Sequence, residues 1–221
     1  AGAMIGKYED NIDIVIACFG QGIHILAKNP GRPVDDSIKE KVKSLKLKSH
    51  VKKVIKLLEK SKRPVLILGN GVRLSGAEKM VSELLNTVKV PVILPFGSLD
   101  LVPENSPFLA GKFGPGGQRR GNFILQNSDL VLSIGASLNV ASIGFNYQSV
   151  APDAKKIMVN IDSAEIRKVK EIIDVPVCMD VGLFIKSLLE QPDRIEIRAR
   201  SNWMAKCLEW KIRYPFVLPA H

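Results

Sequence analysis

Residues 62–72 read Lys-Arg-Pro-Val-Leu-Ile-Leu-Gly-Asn-Gly-Val, and the pattern of this stretch recurs along the middle of the chain. Every position of the run Val65–Leu68 is apolar, and the run ends at Gly69-Asn70-Gly71. A strand that is apolar throughout, without alternation, is typical of a sheet buried on both faces. A helical pattern from Gly76 to Val88 follows, so the stretch predicts one strand–helix unit of a parallel α/β sheet.

The same unit recurs towards the carboxyl end of the chain. Further short apolar runs predict strands at Val90–Leu94, Asp129–Ile134, Lys156–Ile161 and Val175–Met179. Helical patterns lie between and after them, at Gln118–Asn127, at Glu165–Lys170 with Ser163 as the cap, and at Val181–Glu190. The predicted fold class is α/β: a doubly wound, mostly parallel sheet of about five or six strands with helices on both faces.

The net positive charge of the chain comes from residues on either side of the predicted α/β core. Of a formal net charge of +10, residues 39–63 contribute 11 basic and 2 acidic side chains, whereas residues 64–193 are nearly neutral. Within the basic stretch, Val51, Val54, Ile55 and Leu58 recur at helical spacing, and Ser49 is the predicted N-cap. A solvated amphipathic helix is the first interpretation, and a patch for phosphate or an acidic partner is the second. No aromatic residue or nucleic-acid motif accompanies the lysines, so no nucleic-acid partner is predicted.

Membrane insertion is also not predicted. No apolar run reaches the roughly 18–20 residues that a membrane span needs. The longest candidate, Ile14–Ala27, is interrupted by Gly20, Gln21, Gly22 and His24.

Three widely spaced cysteines, Cys18, Cys178 and Cys207, exclude a disulfide framework and predict a cytoplasmic location. Cys178 lies inside a predicted buried strand, so we expect it to be a small core residue. Because the chain has no CxxC pair and only three histidines, no metal site is predicted.

Small or polar residues follow four of the predicted strands, where ligands bind in open α/β sheets. These strand ends are Gly69-Asn70-Gly71, Gly135-Ala136-Ser137, Asn160-Ile161-Asp162 and Met179-Asp180. Small residues let backbone N–H groups approach a phosphate, and a carboxylate accepts hydrogen bonds from ribose hydroxyls, so the pattern indicates a nucleotide site. Equally, the glycines could serve tight turns and Asp180 could cap a helix. Leu74 occupies the third glycine position of GxGxxG and no P-loop motif exists, which argues against a nicotinamide dehydrogenase or a P-loop enzyme.

No catalytic residue is predicted. The histidines His24, His50 and His221 all lie outside the predicted α/β core, so no nucleophile there has a neighbouring imidazole base. By its own residues the core is predicted to be a binding or structural module, and enzyme activity of this chain stays an open question.

A family resemblance is carried by several strings in order. They are residues 62–72, Ser75-Gly-Ala77, Val90-Pro-Val-Ile93, Pro103–Pro107, Ala110–Gly117, Asn127–Leu138, Ala151–Asp162 and Trp210–Pro215. Together, over roughly residues 50–215, they resemble the central domain of thiamine-diphosphate-dependent enzymes of the acetolactate synthase type. Within that family, Gly144-Phe-Asn-Tyr147 is similar to members placed in surface-polysaccharide biosynthesis.

The resemblance implies a variant Rossmann-like fold of the DHS-like NAD/FAD-binding kind, in a parent enzyme with three domains. Residues 1–48 are then a poorly defined leader, residues 49–190 the central domain, and residues 191–221 a helical connector. The implied partners are a pyrimidine-binding domain, a diphosphate-binding domain and further copies of the chain. The activating glutamate and the Gly-Asp-Gly metal motif belong to those other domains. We therefore expect a non-catalytic scaffold and inter-domain or dimer contact, with thiamine diphosphate and Mg²⁺ used by the parent.

The resemblance also implies positions for a nucleotide. Gly69, Asn70 and Gly71 would face a diphosphate, and Ile161, Asp162, Asp180 and Val181 would lie near adenosine. Members that bind FAD have arginine where this chain has Ser137, and an Asp-Arg pair where it has Asn139-Val140. Loss of that always-charged phosphate partner argues against FAD, so no strongly bound cofactor is expected. The alternative function is a stand-alone module that binds FAD, NAD or ADP.

Overall fold

The computed structural model describes residues 3–8, 12–19, 22–27, 36–191 and 200–215. The chain divides into two compact units, Ala1–Ser49 and His50–His221. In the first unit, strands β1 (Ala3–Tyr8), β2 (Ile12–Phe19) and β3 (Gly22–Ala27) form an antiparallel sheet in the order β1-β2-β3. The apolar run Ile14–Ala27 therefore contributes to two adjacent strands.

Helix α1 (Asp36–Lys60) begins in the first unit, and its residues from His50 onward belong to the second. The predicted N-cap at Ser49 is wrong, because α1 begins at Asp36 and Ser49 lies in its interior. The residues before Ser49 are mostly lysine, glutamate and leucine without glycine or proline, and such residues favour continuation of a helix. The predicted apolar face is confirmed by the buried side chains Val51, Val54, Ile55 and Leu58. None of the helices in the described ranges is long and apolar enough to cross a membrane.

The second unit is built on a six-stranded parallel sheet, which confirms the predicted fold class. Its strands are β4 (Pro64–Leu68), β5 (Val92–Leu94), β6 (Leu109–Lys112), β7 (Leu130–Ile134), β8 (Lys155–Asn160) and β9 (Val175–Cys178). Their order is β6-β5-β4-β7-β8-β9. The chain thus leaves β4 towards one edge and returns to build the other half from β7. The carboxyl ends of β4 and β7 are neighbours at this topological switch point, where such sheets bind ligands.

Seven further α-helices within the described ranges connect and cover these strands. They are α2 (Gly71–Leu74), α3 (Val81–Val88), α4 (Arg119–Gln126), α5 (Val140–Ile143), α6 (Ser163–Lys168), α7 (Val181–Leu189) and α8 (Ser201–Arg213). The predicted cap at Ser163 is wrong. Asp162 is the N-cap of α6, and its Oδ1 accepts the N–H of Ala164 at 2.7 Å, because a carboxylate one residue earlier reaches the orphan donors of the first turn.

The prediction that Cys178 is a core residue is also wrong. Among the described strands, β9 is at the edge of the sheet and pairs with β8 alone, and its positions alternate between buried and exposed. Val175 and Val177 face the core, whereas Pro176 and Cys178 are exposed. The sequence of one strand does not show whether that strand will lie inside the sheet or at its edge. An apolar run such as Val175–Cys178 can therefore be buried on one face and exposed on the other.

Residues 200–215, which the sequence places in a connector, are packed onto the second unit. Helix α8 packs on α4 and β6, and the buried Trp203 donates its Nε1–H to Pro64 O at 2.9 Å. The buried guanidinium of Arg200 donates to Leu58 O and to Val88 O, in the last turns of α1 and α3. A cation at these helix carboxyl ends is favourable because it meets the negative ends of both helix dipoles.

The two described free thiols should differ greatly in reactivity. Cys207 on α8 is buried, and burial raises the pKa of its thiol to about 12, whereas Cys178 is exposed. In a Cys18→Ser background we expect one rapidly labelled thiol at about pH 8, with Cys207 reacting at least about 100-fold more slowly because so little thiolate is present. Labelling with an aromatic disulfide, followed by peptide mass spectrometry, measures both rates. Equal labelling of Cys178 and Cys207 in the folded protein would contradict the placement of both residues.

Candidate functional site

A pocket of about 710 Å³ lies at the carboxyl ends of the parallel strands. Its lining contains all ten residues predicted from the sequence: Gly69, Asn70, Gly71, Gly135, Ala136, Ser137, Ile161, Asp162, Asp180 and Val181. The structure therefore brings these residues together, and their role in holding a ligand remains a prediction. The volume is in the range of small-molecule sites.

The floor of the pocket is a close backbone contact between the loops after β4 and β7. A Cβ atom at Gly69 would lie 2.3 Å from Gly135 O and 2.4 Å from Ala136 Cα, and one at Gly71 would lie 2.8 Å from Gly135 Cα. Gly135 itself has a φ of +66°, a left-handed conformation that glycine adopts without strain. These three glycines are therefore required by packing, whatever the pocket binds.

The same contact uses two amides that were candidates for binding phosphate. The N–H of Gly69 donates to Ile134 O, and the N–H of Gly71 donates to Gly135 O, both at 2.9 Å. Helix α2 begins here, and the N–H of Val72 already donates to Gly69 O. A phosphate at this position could not use these donors without breaking the contact between the loops.

Carboxylates line the pocket beyond β8 and β9. Asp162 caps α6, and Asp180 caps α7 by accepting the N–H of Leu183 through Oδ1 at 2.9 Å. The side chain of Asn160 is buried beneath them, and its Oδ1 accepts the N–H of Asp162 at 2.9 Å. The capping role foreseen for Asp180 is thus confirmed, and each carboxylate uses one oxygen for it.

Four further lining residues carry no clear signal in the sequence: Leu74, Phe96, Lys112 and Glu165. Lys112 lies on β6, a strand within a glycine- and proline-rich passage, and its Nζ is 5.3 Å from the centre of the Phe96 ring. Glu165 pairs with Lys168. Only the capping preference at the start of α6 could have indicated Glu165, since an acidic residue is favoured in a first helical turn.

Comparison with known sequences identifies the domain that contains this pocket. Residues 51–188 match the family described as "Thiamine pyrophosphate enzyme, central domain". The chain belongs to this family. The boundaries of the match enclose the six strands and the pocket.

Its relatives among curated proteins are acetolactate synthase large subunits. The chain is 36% identical over 145 residues to a probable acetolactate synthase large subunit of Methanococcus aeolicus, covering 66% of this chain and 24% of that protein. It is 32% identical over 161 residues to the corresponding protein of Methanocaldococcus jannaschii, covering 73% of this chain and 27% of the relative. For acetolactate synthase isozyme 1 large subunit of Escherichia coli K12, the identity is 32% over 163 residues, covering 74% of this chain and 28% of the relative. The chain thus spans about a quarter of the length of these relatives.

The donor set in the pocket of this thiamine pyrophosphate enzyme central domain does not fit a diphosphate. Among the described residues that line it, Lys112 is the one cation, whereas Asp162, Asp180 and Glu165 are acidic. Ser137 is exposed at the middle of the lining, where a guanidinium would be the strongest phosphate partner. Nor do the described residues include a group of three or more His, Cys, Asp or Glu side chains that could hold a metal ion.

Substitution of Gly69 by alanine should destabilise the domain, because the new Cβ would overlap backbone atoms that cannot rotate away. We expect a loss of about 2–3 kcal/mol in the free energy of unfolding, typical of overpacking. Gly116→Ala is the matched control: Gly116 also lines the pocket, but nothing lies within 4 Å of its added Cβ. Urea unfolding followed by circular dichroism measures both variants. Equal stability of the two variants would contradict the close approach of the loops.

Proposed function

We propose that this chain is a non-catalytic central domain of an acetolactate-synthase-like enzyme that depends on thiamine diphosphate. The complete enzyme would form or cleave C–C bonds in 2-keto acids, and this domain would act as its scaffold. The family match over residues 51–188 carries the proposal. The partial coverage of long relatives, at about a quarter of their length, supports the assignment to one domain of a larger enzyme.

The chemistry of the described residues agrees with a supporting role. Asp162 and Asp180 serve as helix caps, and Gly69, Gly71 and Gly135 serve the contact between two loops. Thiamine diphosphate and Mg²⁺ would therefore be held by other domains, which supply the reactive groups. The contribution of this chain would be to position those domains through a rigid sheet.

The proposed partners are a pyrimidine-binding domain, a diphosphate-binding domain and a second copy of the chain. Large exposed apolar side chains outside the pocket support such contacts, among them Phe145, Leu208 and Ile212.

A cytoplasmic location belongs to the proposal and is supported by the free thiols of Cys178 and Cys207. A role in surface-polysaccharide biosynthesis stays a prediction from Gly144–Tyr147, and the relatives reported above are all acetolactate synthase large subunits.

A second candidate function is the binding of an adenine-containing ligand in the pocket. The observation that favours it is the convergence of all ten predicted residues at the topological switch point. Such a ligand would stabilise the domain and could transmit its occupancy to the neighbouring domains.

The purified chain should show no turnover with pyruvate when thiamine diphosphate and Mg²⁺ are supplied. The expected result is no CO₂ release and no acetolactate above a blank without protein, because the chain provides no residues assigned to the chemistry. The Escherichia coli isozyme 1 large subunit, assayed in parallel, shows that the assay responds. Turnover by the isolated chain would overturn the scaffold proposal.

Ligand binding to the pocket should raise the melting temperature of the chain in proportion to the logarithm of ligand concentration. Adenosine, ADP and FAD are tested separately by differential scanning fluorimetry, and at least one of them should give a concentration-dependent shift of a few degrees, of the order that about 1–3 kcal/mol produces. No shift with any of the three would refute the second candidate function and leave the scaffold proposal intact.

A further inference from the structure

The charged groups of the pocket lie at opposite ends of the sheet. Lys112 is on β6, and the carboxylates of Asp162 and Asp180 follow β8 and β9 at the other side. Four strand spacings of about 4.8 Å separate β6 from β8, so the strand that carries Lys112 lies about 19 Å from the strand that precedes Asp162. A ligand bound beside the carboxylates therefore lies several strands away from the backbone of Lys112.

In the part of the pocket between Lys112 and the carboxylates, no described lining residue carries a positive charge that could neutralise a phosphate. Its loops contribute Gly69, Gly71 and Gly135, whose backbones contact one another, and the neutral side chains of Ser137 and Asn139. Asn139 is engaged as a helix cap, since its Oδ1 accepts the N–H of Ser142 at 3.1 Å. A diphosphate placed here would face the engaged amides of Gly69 and Gly71 on one side and carboxylates on the other.

The carboxylate end offers acceptors for hydroxyl groups. Asp162 and Asp180 each use Oδ1 for a helix cap, and no described residue donates a hydrogen bond to the second oxygen of either carboxylate. A vicinal diol, such as that of ribose, supplies two O–H donors that such oxygens accept. Hydrogen bonds to charged acceptors are among the stronger ones in proteins.

The pocket also exposes apolar surface that a flat ring could cover. Leu74, Phe96 and Ile161 line it and are 82%, 79% and 69% exposed. Removing such surface from water is favourable, and a ligand ring needs no charged group to cover it. The described lining thus combines acceptors for hydroxyls with exposed apolar side chains, and it places no cation beside the carboxylates.

We infer that this pocket takes a phosphate-free nucleoside and discriminates against nucleotides that carry a diphosphate. The inference rests on the proposed binding of an adenine-containing ligand and specifies its chemical class. The discrimination arises from repulsion: a diphosphate adds negative charge beside Asp162 and Asp180, while the nearest lining cation is at the far end of the sheet. A nucleoside keeps the diol and the ring without that charge.

Isothermal titration calorimetry of the whole chain, with adenosine and ADP as the probes, tests the inference. We expect adenosine to bind at least about tenfold more tightly than ADP at low ionic strength. The difference should shrink as salt is added, because the repulsion is screened.

Two variants and a control separate the electrostatic cause from an effect of shape. Ser137→Arg places a cation at the middle of the pocket and should reverse the preference, so that ADP binds more tightly than adenosine. Gln148→Arg adds the same charge at an exposed position that does not line the pocket and should leave the preference unchanged. Asp162→Asn keeps the helix cap, because asparagine caps as well as aspartate, and should weaken adenosine binding about fivefold while improving that of ADP.

Each result decides a different question. Tighter binding of ADP than of adenosine by the unaltered chain overturns the inference and leaves the pocket as a nucleotide site. No heat from either probe, in the unaltered chain and in Ser137→Arg alike, refutes both the inference and the second candidate function. Binding of ADP by Ser137→Arg alone shows that the pocket accepts adenine ligands but refutes the nucleoside preference. A reversal by Gln148→Arg equal to that of Ser137→Arg would refute the assignment of discrimination to the pocket.

Discussion

The loops that follow β4 and β7 contact each other through their backbones, at separations that leave no room for a Cβ atom at Gly69 or Gly71. This contact lies where the strand order of the sheet reverses, so it joins the two halves of the fold. Hydrogen bonds from Gly69 to Ile134 and from Gly71 to Gly135 hold it. The register of β4 against β7 and the start of α2 both depend on these bonds, and the pocket is formed above them.

The chemistry of the pocket follows from the same constraint. Glycines at strand ends are associated with phosphate binding because they expose backbone amides, but here two of those amides complete the contact between the loops. The groups of the described lining that remain available include the second oxygens of the two capping carboxylates and the exposed apolar side chains at the rim. Under our proposal, this pocket occupies the usual position of a nucleotide site in such a fold, while its carboxylates favour a neutral ligand.

At the side of the sheet opposite the pocket, hydrogen bonds from Arg200 and Trp203 attach the segment before and within α8 to the second unit. Arg200 donates to the carboxyl ends of α1 and α3, and Trp203 donates to the first residue of β4. Helix α8 is consequently part of the packed unit, although the family match ends at residue 188. In the proposed enzyme, a rigid attachment of this segment would transmit the position of the sheet to whatever follows.

Much of the architecture could be predicted from the sequence, because a short run of apolar residues indicates a buried strand. The runs at β4, β5, β7, β8 and β9 are apolar, and the strands that lie inside the sheet have no solvent-facing side. Strand β6 could not be predicted, because Leu-Ala-Gly-Lys has no distinctive apolar run and depends on pairing with β5 and a glycine at a φ of +134°. The exposure of Cys178 likewise depends on β9 being at an edge, which no local pattern encodes.

By itself, the sequence determined the fold class and the positions of the strand ends, because short-range periodicity and turn residues encode these features locally. The family resemblance added Val181 to the predicted site residues. Only the tertiary structure decided that the amides of Gly69 and Gly71 donate hydrogen bonds to Ile134 and Gly135. It also decided that Asp162 rather than Ser163 caps α6, and that the strand of Lys112 is four strands away from the strand before Asp162. Those outcomes depend on contacts between segments distant in the chain, such as Gly69 with Gly135. Distances of that kind are set by the packing of the sheet, and no local stretch of residues contains them.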